Sequence, residues 1–215
     1  MLGSNPFVSR GGIKLQAAIR NFKLEIRNCV ALDIGSSTGG FVDCLLQNGA
    51  KKVYAVDTAY GELAWKLRND PRVVVMERTN ALYLNELPEF EAKIDDENKW
   101  LRGQVWEQKE IKVDLITIDA GWTKLELVLP VVKKFLKPGG KIVALLKPHY
   151  ELLNKRGNLV RGVVPEDKVK KVKVETVKKI KDLGFKIEKQ MKSPILGGAG
   201  NVEYLLLLSV FGLCR

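Results

Sequence analysis

The residues best suited to chemistry lie in a glycine-rich run, DIGSSTGGF, that follows a hydrophobic stretch near the start of the chain. Glycines let a ligand approach the backbone closely at the turn between a strand and a helix. The run is neither GxGxxG nor a Walker loop, because no Lys-Ser or Lys-Thr follows the glycines. An ordinary turn is the alternative, but the three glycines and the acid favour a nucleotide-type ligand loop. The predicted loop residues are Asp33, Gly35, Ser36, Ser37, Thr38, Gly39, Gly40 and Phe41.

A second acid, Asp57, directly follows the hydrophobic run 53–56 and lies 24 residues beyond the first. An acid at this point, next to Thr58, can accept hydrogen bonds from both ribose hydroxyls of an adenosyl group. A solvated acid at a strand end is the alternative, and the buried run before Asp57 weakens it. Thr79 and Asn80 follow the third predicted strand and would border the adenine, since an amide offers both a donor and an acceptor.

The charge balance predicts a polyanionic partner. The chain has 36 Lys and Arg against 25 Asp and Glu, a net charge of +11 with a pI near 9.5. A merely soluble, lysine-rich protein is the alternative. The basic residues gather in the run 168–181 and near the start, whereas acids cluster between 86 and 110. Those near the start are Arg10, Lys14, Arg20, Lys23 and Arg27.

The sequence predicts neither a metal site nor a membrane span. Cys29, Cys44 and Cys214 are far apart and are interpreted as buried thiols, and the single His149 cannot build a histidine-based metal site. No apolar stretch approaches the roughly 20 residues that a membrane helix needs. Residues 1–12 lack the apolar middle of a signal peptide, so a cytoplasmic location is predicted.

Apolar runs alternate with helix-like segments, the pattern of an α/β protein with helices on both faces of a parallel sheet. This predicts a Rossmann-like fold with a seven-stranded, mainly parallel sheet. Strands are predicted at residues 30–34, 52–56, 72–76, 113–118, 141–146, 185–190 and 203–210. Helices are predicted at residues 40–48, 125–136 and 166–183. The last two strands are close in sequence and are expected to form an antiparallel hairpin, which favours a methyltransferase-type sheet over a dehydrogenase.

The predicted organisation is a basic segment, residues 1–29, packed on a catalytic domain, residues 30–215. Residues 89–110 are polar and are interpreted as an insertion, either a helical excursion or a flexible one. Its Trp100 and Trp106 could stack on RNA, but packing within an amphipathic insert is the preferred interpretation.

Five runs resemble the TlyA, or hemolysin A, family of FtsJ-like methyltransferases. They are SRGGIKLQAAI (9–19), ALDIGSSTGGFVDCLLQNGA (31–50), YAVDTAYGELAWKLRNDPRVVVMERTN (54–80), LLKPHYE (145–151) and GNVEYLLLL (200–208). The resemblance covers nearly the whole chain. It implies 2′-O-methylation of ribosomal RNA with S-adenosylmethionine, and ribosomal RNA or ribosomal subunits as partners. Nothing in the composition is that of a pore former, despite the family name hemolysin.

The resemblance also implies a catalytic tetrad, because the FtsJ group uses Lys, Asp, Lys and Glu in this order. The matching residues are Lys14, Asp119, Lys147 and Glu203. Singly, each could be an ordinary surface or strand-end residue. The reaction needs such groups because a ribose hydroxyl is a poor nucleophile, whereas a sulfonium methyl is already activated. Lys147 is the candidate that accepts or steers the hydroxyl proton.

The sequence departs from the family pattern on the expected substrate side. Members usually have a Ser-Phe-containing run after the fourth-strand Asp, where this chain has AGWTKL at 120–125, and Gln-Phe where it has His149-Tyr150. Members also carry an N-terminal S4-type RNA-binding domain, and this sequence starts where that domain should end. We therefore expect either a shortened form or one that relies on its own basic surface.

Two alternatives stay open on the sequence. One is a methyltransferase of the same fold for a small molecule or a protein, suggested by the altered substrate side. The other is a non-catalytic RNA-binding or ribosome-assembly factor that keeps the fold. The tetrad argues against the second, and the basic balance argues against a neutral small substrate.

Overall fold

A computed structural model describes residues 5–94, 100–104, 110–121, 123–152, 162–198 and 200–211. Its α-helices are α1 (Gly11–Phe22), α2 (Gly40–Gln47), α3 (Trp65–Arg68), α4 (Leu125–Val132), α5 (Pro148–Glu151) and α6 (Glu166–Asp182). Its strands are β1 (Val30–Ile34), β2 (Lys52–Val56), β3 (Val73–Met76), β4 (Phe90–Ile94), β5 (Trp100–Gln104), β6 (Val113–Ile118), β7 (Leu136–Leu146), β8 (Phe185–Lys192) and β9 (Tyr204–Val210).

Seven of these strands form one sheet in the order β3-β2-β1-β6-β7-β9-β8. The first five in this order pair in parallel, and β9 pairs antiparallel with both β7 and β8. Central parallel strands are covered on both faces, which explains why their sequences are continuous apolar runs rather than alternating ones. The predicted seven-stranded sheet with an antiparallel end is confirmed.

Helices cover both faces of this sheet, as predicted. On one face, Leu129 of α4 and Ile180 of α6 pack with Ile116 of β6 in one apolar cluster. On the other, Leu15 of α1 and Leu45 of α2 pack in a second cluster. Each strand contributes side chains alternately to the two clusters. The polar residues that directly follow the parallel strands lie together at the carboxyl edge of the sheet.

The predicted helix 125–136 and the predicted strand 141–146 have different bounds in the structure. Helix α4 ends at Val132, is followed by the 3-10 turn Lys133–Phe135, and β7 then begins at Leu136 rather than at residue 141. Leu136 pairs with Val113 of β6, and the register shifts before Lys141 pairs with Leu115. The turn residues 137–140 are thus drawn into the strand as an irregularity, because pairing on both sides of them extends the sheet.

The helical interpretation of the insertion 89–110 is wrong for its described parts, where β4 and β5 form an antiparallel pair. The sequence FEAKI alternates apolar and polar residues, and this period of two is typical of a strand. The side chains of Trp100 and Trp106 lie outside what the structure describes, so their packing or stacking stays a prediction.

Candidate active site

The glycine-rich loop between β1 and α2 is held in place by its own backbone. Gly35 has a φ of +82°, and a Cβ there would lie 2.8 Å from the carbonyl oxygen of Asp119. Glycine is therefore required for this close approach between the loop and the end of β6. The amides of Gly35 and Ser36 donate to the Val56 carbonyl oxygen at 2.9 and 3.2 Å. These bonds fix the loop against the end of β2.

Asp57 joins the glycine-rich loop to the loop after β2. Its Oδ2 accepts a hydrogen bond from the Ser37 amide at 2.7 Å, and its Oδ1 accepts one from the Ala59 amide at 2.8 Å. A carboxylate has about four acceptor positions, so two backbone donors leave lone pairs for a ligand. The acid is thus oriented before any ligand binds.

A cavity of about 540 Å³ opens at this edge of the sheet. Every residue that the sequence predicted for the site borders it, except Asp33, Gly39 and Glu203. Sequence reasoning missed several lining residues, including Ser9, Gly11, Ala81, Leu82, Ala120 and Gly121. Most of them adjoin predicted residues, so neighbourhood in sequence is the signal that could have found them.

Asp33 lies beneath the loop instead of in the cavity wall. It is fully buried, and its Oδ1 accepts a hydrogen bond from the Thr117 hydroxyl at 2.5 Å. Its Oδ2 has no hydrogen-bond partner among the described residues. Burial raises the pKa of Asp33 to about 7, and the Thr117 hydrogen bond opposes that rise. The acid therefore supports the loop from below.

Gly39 has a packing reason of its own. Its φ is +97°, and a Cβ there would lie 2.3 Å from Leu67 Cδ1. The glycine lets α3 pack against the start of α2, which closes the loop from behind.

Asn80 and Arg78 are committed to local contacts near the cavity. The Asn80 Oδ1 accepts a hydrogen bond from the Leu82 amide at 3.0 Å, which leaves the Asn80 amino group as the free donor. Arg78 does not border the cavity, and its guanidinium lies 4.1 Å from the centroid of the exposed Tyr60 ring.

Lys147 and Asp119 form the first of two ion pairs in the cavity wall. They follow the neighbouring parallel strands β7 and β6, and Lys147 Nζ lies 2.5 Å from Asp119 Oδ1. The same ammonium is 3.4 Å from the Asp119 carbonyl oxygen and 5.4 Å from the centroid of the Tyr150 ring. The sequence predicted both residues as members of the tetrad. The structure shows that they form an ion pair because they follow adjacent strands.

Lys14 and Glu203 form the second pair, from opposite ends of the chain. Lys14 Nζ lies 2.6 Å from Glu203 Oε2, and only 3% of the Glu203 side chain is exposed. A Cβ at Gly197 would lie 2.4 Å from Glu203 Oε1, so glycine there leaves room for the carboxylate. Lys189 Nζ donates to the Phe22 carbonyl oxygen at 2.9 Å, which ties the end of α1 to β8. Lys14 borders the cavity, while Glu203 stands behind it.

His149 follows Lys147 by two residues and was not predicted as a site residue. Its pKa is lowered by burial first and then by the charges of Lys147 and Lys14, which favours the neutral ring. Its Nδ1 is buried without a hydrogen-bond partner in the described structure. The signal in the sequence was the departure from the Gln-Phe of related chains. Lys14 and Lys147 both border the same cavity.

Helix α5 is held against α4 by Glu151, whose Oε1 accepts a hydrogen bond from the Leu125 amide at 3.0 Å. Burial raises the pKa of Glu151. This contact fixes His149 and Tyr150, which lie on the same short helix, relative to the face of the sheet that α4 covers.

Over the ranges that the structure covers, no group of three or more His, Cys, Asp and Glu residues could hold a metal ion. Cys44 is buried and Cys29 partly so, and Cys214 lies outside the described ranges. None of the helices traced in the structure is both long and apolar enough to cross a membrane.

Comparison with known proteins assigns a family. The model of the FtsJ-like methyltransferase family matches residues 7–210. The chain belongs to the FtsJ-like methyltransferase family. It is 40% identical over 212 residues to YqxC of Bacillus subtilis, provisionally named an rRNA methyltransferase, covering 94% of this chain and 65% of that protein. It is 37% identical to the 16S/23S rRNA (cytidine-2′-O)-methyltransferase TlyA of Mycobacterium tuberculosis, covering 94% of this chain and 68% of TlyA. The chain thus spans about two thirds of the length of these relatives.

Solved structures agree with this assignment. A Streptococcus thermophilus protein provisionally named a hemolysin has 37% identity and a TM-score of 0.79, covering 99% of this chain and 70% of that one. Fibrillarin of Aeropyrum pernix with bound S-adenosyl-L-methionine has 14% identity and a TM-score of 0.58, covering 93% of this chain and 76% of that one. At that identity the likeness concerns the fold alone, the Rossmann-like fold of S-adenosylmethionine-dependent methyltransferases. The predicted fold and family are confirmed.

Proposed function

We propose that this FtsJ-like chain transfers a methyl group from S-adenosylmethionine to a ribose 2′-hydroxyl of ribosomal RNA. The observation that carries the proposal is that two lysines in the wall of one cavity, next to the glycine-rich loop and Asp57, are each paired with a carboxylate. The names of its relatives YqxC and TlyA support the choice of ribosomal RNA. A ribosomal substrate would place the reaction in the cytoplasm, as expected from the sequence.

The lining residues fit S-adenosylmethionine. The cavity volume of about 540 Å³ lies within the usual range for cofactor sites. Asp57 would hold the ribose hydroxyls, because its carboxylate is preoriented and keeps free lone pairs. Asn80 would hold the adenine through its free amino group, and the loop 35–41 would hold the rest. When bound, S-adenosylmethionine supplies an activated methyl group that needs only the in-line approach of an oxygen nucleophile.

The two lysines create the electrostatic conditions that a ribose hydroxyl needs. Negative charge develops on the attacking oxygen as its proton leaves, and two fixed ammonium groups on one wall would stabilise that charge. Asp119 and Glu203 hold the two lysines in place, so little reorganisation is needed during the reaction. Lys147, which borders the cavity, steers the attacking hydroxyl as an ammonium, or accepts its proton when the amine is neutral.

A comparison of three variants tests this proposal. Lys147→Ala should lower the single-turnover rate of methyl transfer to ribosomal RNA by roughly 100-fold or more, the usual contribution of a general base. Its affinity for S-adenosylmethionine should be unchanged. Lys141→Ala is the matched control, because Lys141 lies on the same strand and pairs with Glu188 on the surface. Its rate should equal that of the wild type.

Lys147→Arg separates the two roles of Lys147. Arginine keeps the positive charge but does not deprotonate at working pH. A slow arginine variant supports proton acceptance, and a near-normal rate would restrict Lys147 to electrostatic positioning. If the wild type binds S-adenosylmethionine yet methylates no ribose in ribosomal RNA, the proposed substrate is wrong.

A further inference from the structure

A group of basic side chains lies around Tyr204, at the end of the sheet that carries the active site, and has no part in the proposed reaction. We call it the α6 basic cluster, and its members are Lys170, Lys173 and Lys192 with Tyr204 and Glu166. Lys173 Nζ lies 4.2 Å from the centroid of the Tyr204 ring. Lys170 Nζ lies 3.0 Å from Glu166 Oε1. Lys170 chiefly, and Lys192 more weakly, hold the pKa of Glu166 below its ordinary value. Lys192 belongs to the cluster through its pairing with Tyr204.

The cluster stands at the same edge of the sheet as the active site. Tyr204 is the first residue of β9 and is paired with Leu146, the last residue of β7, and with Lys192, the last of β8. Along the chain, Lys147 follows Leu146 and Glu203 precedes Tyr204. The Tyr204 ring packs with the apolar cluster of α4 and α6, whereas Glu203 contacts Lys14 of α1 on the other face of the sheet. An antiparallel pair separates Cα atoms by about 5 Å and one residue adds about 3.8 Å, so Tyr204 lies within about 10 Å of Lys147, backbone to backbone.

The start of α6 is fastened to this edge by Asn201, a buried residue of the loop before β9. Its Oδ1 accepts a hydrogen bond from the Val164 amide at 2.8 Å, and its Nδ2 donates to the Gly162 carbonyl oxygen at 3.1 Å. Hydrogen bonds between the Asn201 side chain and the backbone before α6 therefore hold the start of this helix near the carboxyl edge of the sheet.

The charges in the cluster favour an anionic partner. It contains three lysines and one carboxylate, Glu166, which pairs with Lys170, and the Lys173 ammonium lies 4.2 Å from the centroid of the Tyr204 ring. Lys170 and Lys192 are exposed. Lysine ammonium groups along the path of a nucleic acid bind its phosphates and release condensed counterions.

We propose that the α6 basic cluster binds the phosphate backbone of the ribosomal RNA strand that enters the active site. The inference rests on the proposed function, since it presupposes an RNA substrate. A strand advances about 3.4 Å per nucleotide, so the backbone of Tyr204, about 10 Å from that of Lys147, would lie about three nucleotides from the methylated ribose. The ammonium groups around Tyr204 would contact phosphates from that point onward.

The test compares two double variants of equal net charge. Lys173→Gln with Lys192→Gln removes two cations of the cluster. Lys133→Gln with Lys186→Gln is the control. Lys133 Nζ lies 5.7 Å from the Phe185 ring, and Lys186 follows Phe185 on β8, at the end of this strand that is far from Lys192. Binding of purified ribosomal RNA is measured as a function of salt concentration, and the affinity for S-adenosylmethionine is measured by calorimetry.

In the cluster variant, the slope of log K against log salt should be smaller in magnitude than in the wild type by about 1.4 to 1.8, since each phosphate contact contributes about 0.7 to 0.9. The control should keep the wild-type slope, and both should bind S-adenosylmethionine normally. Equal slopes for the cluster variant and the wild type, or equal losses in the two double variants, would overturn the inference. If methylation of ribosomal RNA by the wild type persists in that case, only the docking surface is wrong. If the wild type neither binds nor methylates ribosomal RNA, the proposed function fails with it.

Discussion

Two regions of the active-site edge bury a carboxylate, and they satisfy it in opposite ways. Beneath the glycine-rich loop, Asp33 has the hydroxyl of Thr117 as its hydrogen-bond donor and no cation beside it in the described structure. Behind the cavity wall, Glu203 has the ammonium of Lys14 at 2.6 Å. Burial of an acid without a cation favours its neutral form, whereas a paired acid can stay charged and hold its partner. The comparison indicates that one acid supports structure and the other orients a charge for chemistry.

The largest expected effect concerns the unpaired acid. The pKa of Asp33 in the folded protein, about 7, lies above its ordinary value of 3.8, so the folded state binds more protons between these values. The free energy of unfolding should therefore fall as pH rises from about 4 to about 7, by a few kcal/mol at most. Asp33→Asn cannot ionise and should flatten this dependence. Urea unfolding at several pH values measures the effect.

A surface acid serves as the control for this pH effect. Asp70 has a pKa lowered chiefly by its hydrogen bond with Arg72, so its contribution is lost as pH falls, the opposite sign. Asp70→Asn should therefore leave the decline between about pH 4 and 7 in place. A wild type whose stability is level over that range would show that Asp33 is not neutral in the folded state.

The next effect concerns the paired acid. Glu203→Gln leaves the Lys14 ammonium without its carboxylate and should destabilise the fold by about 3 kcal/mol, as for other broken buried pairs. Glu188→Gln breaks the exposed pair with Lys141 and should cost under about 1 kcal/mol. The double change Lys14→Met with Glu203→Leu should recover most of the lost stability without recovering methyl transfer. Equal losses in the two glutamine variants would mean that burial of the Lys14 pair is unimportant.

The smallest effect lies on the cofactor side of the cavity. Asp57→Ala removes the acceptor for the ribose hydroxyls and should weaken S-adenosylmethionine binding by about 1 to 3 kcal/mol, as measured by calorimetry. Glu62→Ala is the control, because Glu62 is exposed in the same loop and does not border the cavity. Unchanged affinity in Asp57→Ala would contradict the assignment of Asp57 to the ribose.

Local sequence was sufficient to predict those parts of the site that depend on the backbone. The strand ends, the glycine positions and the acid after β2 are all set by short-range patterns, and β1, β2 and β6 have the predicted bounds. Local pattern was less informative for the insertion, where a period of two was read as a helical or flexible segment. It also did not separate Asp33, which lies below the cavity, from the neighbouring loop residues that border it.

The amino-acid sequence by itself determined the fold class, the family and the identities of the charged residues, because apolar periodicity, turn glycines and motif order are properties of neighbouring residues. Only the tertiary structure decided which lysine pairs with which acid, since Lys14 and Glu203 are brought together by the packing of α1 on the sheet and by β9 returning beside β7. It also decided that Lys14 and Lys147 border one cavity and that Lys173 contacts the Tyr204 ring. Such contacts depend on the crossing of elements far apart in sequence, and no local pattern encodes them.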